Sequence, residues 1–212
     1  MKGLLLKDFY MMRSYCRAFL VIVAVFLAGA AADSNLFFIV YPLVMIGMLP
    51  LTLITYDERE KWDIYSGTLP YTREQLVRGK YLIGLVGVLA VLALTAAVQA
   101  VKMGISGSFS GKELLFLLLP LFGGGMLCPI FTLPLIYKFG AEKGRIIYIG
   151  SVMVFCAVGA LLMELNQVAA SFIKVIMGIP EVVVCGVLPI AALVMYGVSY
   201  LISVKIYKNR EV

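Results

Sequence analysis

Histidine is absent from this chain of 212 residues, and charged residues make up only 14% of it. The first absence removes the commonest metal ligand and the commonest general base. Soluble domains carry about a quarter charged residues, whereas 62% of this chain is hydrophobic. The mean hydropathy of +1.01 is typical of the membrane class. The composition therefore predicts a membrane protein with no separate soluble domain.

The long apolar runs carry no charged residue near their centres. An ion-driven carrier normally needs such residues there, and an intramembrane protease needs a base or two paired carboxylates. A glycine-rich phosphate loop is also missing. The neutral polar residues at the centres are typical of hydrogen bonds between helices; they are Thr52, Thr95, Gln99 and Ser151. An ion-coupled carrier and a membrane enzyme are therefore disfavoured, and energy for any transport is expected to enter from another chain.

Six apolar runs approach the roughly 20 residues that a helix needs to cross the hydrocarbon core. They predict an all-α polytopic membrane protein, with residues 1–212 as one transmembrane domain. The first run is short, and the sequence Asp33-Ser34-Asn35 predicts a tight hairpin after it. The runs are Ala18–Ala32, Leu36–Tyr56, Tyr81–Val101, Leu114–Tyr137, Ile146–Leu165 and Val182–Tyr207.

Basic residues concentrate on one side of these six predicted spans. Of the 18 lysines and arginines, only Lys102, Lys112 and Lys174 fall in the alternate connectors. The positive-inside rule therefore predicts that both termini lie in the cytoplasm. An alternative is that the basic start and the small-residue sequence AGAAADS form a cleaved signal peptide, which would leave five spans.

The first 16 residues predict an amphipathic elbow helix on the membrane surface. On a helical wheel, one arc is basic and the opposite arc is apolar, with Asp8 as the exception. We expect the basic arc to face anionic headgroups and the apolar arc to face acyl chains. The basic arc holds Lys2, Lys7, Arg13 and Arg17, and the apolar arc holds Leu4, Leu5, Met11, Met12 and Tyr15.

The densest block of charge, residues 57–80, lies between the second and third predicted spans. Its first part predicts one helix from Asp57 to about Tyr65, supported by the pairs Asp57–Lys61 and Arg59–Asp63. This helix ends at Ser66-Gly67. It places Glu58, Trp62 and Tyr65 on one face.

Such a face, with one carboxylate and two aromatic rings, suits docking in a groove of a partner protein. The alternative is a solvated loop whose aromatic residues sit among the lipid headgroups.

The second part of the block predicts a new helix. Thr72 and Gln75 have the spacing of a capping box. The helix that they open runs through Lys80 into the third span, so the inner loop and the span would be mechanically continuous.

Three further segments carry predictions. The run Gly123–Gly125, followed by Pro129 and Pro134, predicts close helix packing or a hinge in the fourth span. Residues 138–145 form a second, short inner loop. Residues 166–180 are moderately apolar and predict an interfacial or re-entrant helix.

The sequence E-R-E…W-x-x-Y-x-x-x-L-P-Y-T-R-x-x-L-V-x-x-K-Y resembles the cytoplasmic loop of type-2 ABC transporter permeases, above all small bacterial six-span subunits. In that family the loop forms a coupling helix that sits in a cleft of a separate ATPase. The resemblance implies coupling roles for Glu58, Glu60, Lys61, Trp62, Tyr65, Leu69, Pro70, Thr72 and Arg73. It implies a second, minor contact through Glu142, Lys143 and Arg145.

The same resemblance implies a complex of two permease chains, identical or related, with two ATPases in a bacterial plasma membrane. This chain would hold no cofactor and catalyse nothing, since ATP and Mg²⁺ would bind to the partner. Small members of the family often export amphipathic or antimicrobial peptides, such as phenol-soluble modulins and bacteriocins. Besides these proteins and peptides, the chain would contact membrane lipid and no nucleic acid. The alternative is a sensor or immunity subunit that binds a partner without moving cargo.

Overall fold

The computed structural model of the chain describes residues 2–15, 17–32, 36–66, 68, 72–105, 107, 110–144, 146–147, 149–150, 153 and 181–209. All regular secondary structure in these residues is helical. The helices are α1 (Lys2–Tyr15), α2 (Arg17–Ala32), α3 (Leu36–Gly47), α4 (Leu49–Arg59), α5 (Trp62–Ser66), α6 (Arg73–Ile105), α7 (Gly111–Phe139) and α8 (Glu181–Asn209). A further helical turn covers residues 141–144.

Four helical stretches of the described chain are long and apolar enough to cross a membrane, namely Phe37–Arg59, Arg73–Ile105, Gly111–Phe139 and Gly186–Asn209. They confirm helices at the second, third, fourth and sixth predicted spans. At the first, the apolar helix Leu20–Ala31 is shorter than these four. Most of the fifth predicted span lies outside the described residues, as do residues 33–35 and 166–180. The count of six spans and the orientation therefore stay predictions.

Helix α6 begins in the predicted inner loop and continues into the third span. The Thr72 hydroxyl accepts a hydrogen bond from the Gln75 N–H at 3.3 Å, and the Thr72 N–H donates to the Gln75 side chain at 3.3 Å. This reciprocal pair confirms the predicted capping box. The helix has 33 residues and is about 50 Å long at 1.5 Å per residue. It therefore extends beyond the ~30 Å hydrocarbon core.

The prediction of one helix from Asp57 to Tyr65 is wrong. Helix α4 runs on from the second span and ends at Arg59, and α5 starts at Trp62. Between them Lys61 has a φ of 53°, a left-handed conformation that interrupts a right-handed helix. The chain therefore turns at Glu60 and Lys61, and residues on either side of this turn do not share one helical face.

The spans pack closely where glycines face neighbouring helices. A Cβ on Gly47 would lie 3.0 Å from the carbonyl oxygen of Gly125, so α3 and α7 approach backbone to backbone. A Cβ on Gly123 would collide with the side chain of Leu188 on α8. Helix α7 continues through its prolines. These contacts support close packing as the use of Gly123 and Gly125.

One end of the helix bundle, which we call the charged end, gathers the described parts of all the predicted inner segments. It contains α1, the end of α4, α5, the start of α6, residues 139–144 and the end of α8, joined by the polar contacts described below. At the opposite end, the Lys102 ammonium donates to the Ala30 carbonyl oxygen at 3.4 Å and joins α6 to α2.

Candidate functional site

Four charged side chains form a closed ring at the charged end, which we call the ion quartet. They are Lys7 and Asp8 of α1, Asp57 of α4 and Lys80 of α6. Asp57 lies 2.5 Å from the Lys7 ammonium and 2.5 Å from the Lys80 ammonium. Asp8 lies 2.8 Å from Lys80 and 3.4 Å from Lys7. Signs alternate around the ring, so each charge has two opposite neighbours.

The ion quartet is mostly removed from solvent. Asp8 is 0%, Asp57 4% and Lys80 6% exposed, and the Lys7 side chain is 21% exposed. Buried charges are costly unless they are paired, and the alternating ring makes the quartet neutral as a whole. Loss of one member would leave an uncompensated charge among buried groups.

Trp62 covers the ion quartet from the side of α5. The Lys7 ammonium lies 3.8 Å from the centroid of its ring, a cation–π contact. Trp62 is half-buried, whereas Tyr65 is 58% exposed. Of the two aromatic residues predicted to dock a partner, one therefore contacts this chain's own elbow helix and the other faces outward.

Glu58 joins the two predicted inner loops. Its carboxylate accepts a hydrogen bond from the Ala141 N–H at 2.8 Å, at the start of the turn of residues 141–144. The free N–H groups of a helix start favour such a carboxylate. Gly140, with a φ of 87°, brings the chain to this position in a conformation that suits glycine. Glu58, predicted to contact an ATPase, thus has a partner within the chain.

Arg73 and Glu74 join the start of α6 to the end of α8. The Arg73 guanidinium donates to the carbonyl oxygens of Tyr207 and Lys208, both at 3.2 Å, and so caps the last turn of α8. Glu74 pairs with the Lys208 ammonium at 3.1 Å. The predicted positioning residue Arg73 therefore holds the first inner loop against the last span.

A buried polar network continues from this junction into the bundle. The Tyr81 hydroxyl of α6 lies 2.8 Å from the Ser199 hydroxyl and 2.7 Å from the Ser203 hydroxyl of α8. The Tyr196 hydroxyl donates to the Tyr81 carbonyl oxygen at 2.6 Å, and Ser199 donates to the carbonyl oxygen of Ile130 on α7 at 2.8 Å. These hydrogen bonds fix α6, α7 and α8 to one another near the charged end.

Four exposed residues of the charged end lie at the turn between α4 and α5 or on α5. Arg59, Glu60, Lys61 and Tyr65 are exposed there, and we call these four the outer face. Glu142 and Lys143 of the second inner loop are also exposed. Leu69, Pro70 and Arg145 lie outside the described residues.

Helix α1 is oriented differently from the prediction. Leu4, assigned to the lipid-facing arc, is 2% exposed, and Met11 and Met12 pack against the core of the bundle. The expectation that this arc faces acyl chains is therefore wrong for Leu4, which the spans cover, whereas Leu5 and Met12 line an open apolar cleft. A second stripe is exposed instead, formed by Leu6, Phe9, Tyr10 and Arg13.

Lys7 was expected at the headgroups and lies in the ion quartet. Arg13 is exposed, as is Arg17, which donates to the Arg13 carbonyl oxygen at 2.9 Å. The side chain of Lys2 lies outside the described part of the structure.

Sequence reasoning missed Asp8 and Lys80 as site residues, although a signal was present for each. Asp8 is the one charged residue on the apolar arc of α1. Lys80 lies on the same helical face as the buried residues Val77 and Gly84. A charge on an otherwise apolar stripe indicates a buried partner.

An open apolar cleft of about 880 Å³ lies beside the ion quartet. Its walls come from α1, α2, α3, the start of α4 and α6 and are apolar apart from Asp8. Among the residues described, His, Cys, Asp and Glu side chains form no group that could hold a metal ion.

A family model described as "ABC-2 family transporter protein" matches residues 3–208 of the chain. No curated protein matches the sequence of this chain. Because the family model covers nearly the whole sequence, the chain belongs to the ABC-2 transporter family, whose members form the membrane component of ABC transporters.

Proposed function

We propose that this ABC-2 family chain is the permease subunit of an ATP-driven exporter and is driven at its charged end by a separate ATPase subunit. Two permease chains and two ATPases would form the working complex in a bacterial cytoplasmic membrane. The observation that carries the proposal is the outer face, which presents exposed charges and Tyr65 to a partner. Behind it, Asp57 and Glu58 fasten the same segment to the rest of the chain.

The structure divides the proposed coupling residues into two groups. Tyr65 is an aromatic anchor of the kind that dominates protein interfaces, with Glu60 and Lys61 as its charged neighbours. Glu58, Trp62 and Arg73 instead contact other parts of this chain. We infer that the first group binds the ATPase and that the second passes its movement to the spans.

The path of that movement starts at α6. Because α6 is one helix from the inner loop into the third span, a push on its start tilts the span. Arg73 and the Tyr81 network carry the same displacement to α8. ATP-driven closure of the two ATPases would therefore open the seam between the two permease chains.

The proposed cargo is an amphipathic or antimicrobial peptide. Such a peptide brings its own apolar face, which suits spans whose centres carry no charge. The open cleft beside α1 and α6 supports this proposal because its walls are apolar apart from Asp8.

Purification of the tagged permease from its own cell tests the ATPase partner. We expect one soluble ATPase chain per permease chain with the native outer face, and its loss in Glu60→Lys plus Tyr65→Ala. The matched control is Glu113→Lys plus Leu115→Ala, which changes the same charge and removes an apolar side chain at the exposed start of α7. An ATPase that is retained in the first variant would contradict docking at the outer face. An ATPase that is absent throughout would contradict the proposal and favour the sensor or immunity hypothesis.

Reconstitution of the permease with that ATPase in vesicles tests the cargo. A labelled amphipathic peptide should stimulate ATP hydrolysis and cross the bilayer only with ATP. A complex that hydrolyses ATP but neither responds to the peptide nor moves it would refute peptide export while leaving the ATPase partnership intact.

A further inference from the structure

We propose that the ion quartet is a rigid joint that makes α1 move together with the end of α4 and the start of α6 during the transport cycle. The elbow helix is then a moving part of the permease and not only a membrane anchor. This inference rests on the proposed function, since it concerns how the movement of the inner loop reaches α1.

The geometry of the ring joins every pair of the three helices. Lys7–Asp57 joins α1 to α4, Asp8–Lys80 joins α1 to α6, and Asp57–Lys80 joins α4 to α6. Three elements that are joined pairwise form a triangle. A displacement of one element must move the other two or separate at least one ion pair.

Burial makes that separation costly. Asp8, Asp57 and Lys80 are almost fully buried, so a broken pair removes one of the two counter-ions of a charge, and water cannot replace it. A buried ion pair contributes little net stability compared with apolar packing of similar volume. Its better attested use is to fix one arrangement of the elements that carry it. The ion quartet fits that use, because it lies where three helices meet.

The joint has a consequence for the apolar cleft. Leu5 and Phe9 of α1 line one wall of the cleft, and Ile83 and Val86 of α6 line another. If α1 follows the start of α6, both walls move together at the charged end, and the cleft keeps its width there. If α1 stayed behind, each tilt of α6 would widen the cleft at that end.

Charge reversal gives a test with an internal rescue. Lys7→Asp plus Asp8→Lys leaves the Asp57–Lys80 pair native but places like charges at both contacts of α1. Asp57→Lys plus Lys80→Asp has the same effect from the other side, because the pair between α4 and α6 stays opposite. All four substitutions together restore opposite signs at every contact of the ring.

Transport of the labelled peptide per ATP hydrolysed is the readout. We expect each half reversal to lower it about tenfold, the change that roughly 1.4 kcal/mol of lost coupling produces. The fourfold variant should recover most of the loss. Half reversals that transport as wild type, or a fourfold variant as inactive as the halves while all variants purify equally well, would overturn the joint.

A distance measurement tests the joint without altering the ion quartet. Spin labels at the exposed positions Tyr10 and Arg78 report α1 against the start of α6, and labels at Arg78 and Leu115 report the start of α6 against the opposite end of α7. The native cysteines would first be replaced. Between the nucleotide-free and the ATP-trapped complex, the first distance should stay constant and the second should change.

The outcomes separate the two proposals. If the wild-type complex hydrolyses ATP and moves peptide but the Tyr10–Arg78 distance changes between the states, the joint is overturned and the proposed function stands. If the wild-type complex binds no ATPase, both fall. A constant Tyr10–Arg78 distance in an active complex, together with rescue in the fourfold variant, supports both.

Discussion

The charged end and the middle of the bundle are held together by different forces. At the charged end, ion pairs and hydrogen bonds join α1, α4, α6, the second inner loop and α8. In the middle, α3 approaches α7 through Gly47 and Gly125, and α7 approaches α8 through Gly123. Ion pairs and hydrogen bonds between buried groups hold their helices in one arrangement. Apolar contacts lose little interaction free energy when the helices slide by a fraction of an ångström. The difference indicates that the charged end moves as one body while the spans adjust around it.

The same contrast explains why the outer face and the ion quartet have separate roles. Residues that bind a partner must stay exposed, and Tyr65 and Lys61 do. Residues that pass on the partner's movement must be fixed to the spans, and Asp57 is. Both kinds lie within one short segment of the chain, between Asp57 and Tyr65, around the turn at Lys61.

Removal of one charge from the ion quartet should have the largest effect. Lys80→Ala leaves Asp8 and Asp57 buried without one of their two cations, and we expect a loss of about 3–5 kcal/mol of stability. Thermal unfolding of the purified protein in detergent measures it. The matched control is Lys205→Ala, at an exposed position of α8, which should change the unfolding temperature little. Equal stability of the two variants would mean that the ion quartet does not stabilise the charged end.

Overpacking of the middle should have the next largest effect. In Gly47→Ala the new Cβ meets the backbone oxygen of Gly125 at 3.0 Å, so α3 and α7 must separate, at a cost of about 1–3 kcal/mol. In Gly124→Ala nothing lies within 4 Å of the new Cβ, and no loss is expected. The unfolding temperatures of both variants check this, and a larger loss in Gly124→Ala would mean that the helices pack differently.

Loss of the link between the inner loops should be smaller still. Glu58→Gln keeps the shape of the side chain but replaces a charge-assisted hydrogen bond to Ala141 with a neutral one, at a cost of about 1 kcal/mol. Amide hydrogen exchange in residues 140–144 should become faster, while exchange in α8 stays the same. Unchanged exchange in that turn would show that Glu58 does not hold it.

The capping box should give the smallest change. Thr72→Ala removes the acceptor for the Gln75 N–H and should cost about 1 kcal/mol or less at this exposed helix start. Thr72→Ser retains a hydroxyl and should behave as wild type in the same unfolding experiment. If serine is as destabilising as alanine, the methyl group and not the cap is what matters.

Local patterns predicted the parts of the fold that depend on neighbouring residues. The capping box at Thr72 and Gln75 and the continuous helix after it follow from residues three or four positions apart. The apolar runs predicted the four long helices for the same reason. Family resemblance supplied the hypothesis that residues 57–80 couple the chain to an ATPase, which stays a prediction.

Long-range contacts explain what the sequence did not predict. Asp57 had a suitable partner four residues away in Lys61, yet it pairs with Lys7 and Lys80, which are distant in sequence. With Asp57 held in this way, α4 ends at Arg59 and the chain turns at Lys61. The arc of α1 that contains Leu4 was correctly identified as apolar. An amphipathic pattern does not show, however, whether lipid or protein packs against the apolar arc.

Site-specific photo-crosslinking most directly tests the central claim that a separate ATPase drives this permease at the charged end. A photoreactive residue would replace Tyr65 in the outer face or, in parallel, Leu115 near the opposite end of α7, both of which are exposed. The account predicts that the probe at Tyr65 captures an ATPase subunit and that the probe at Leu115 does not. Capture from Leu115, or an ATPase that co-purifies but is never captured from Tyr65, would contradict it.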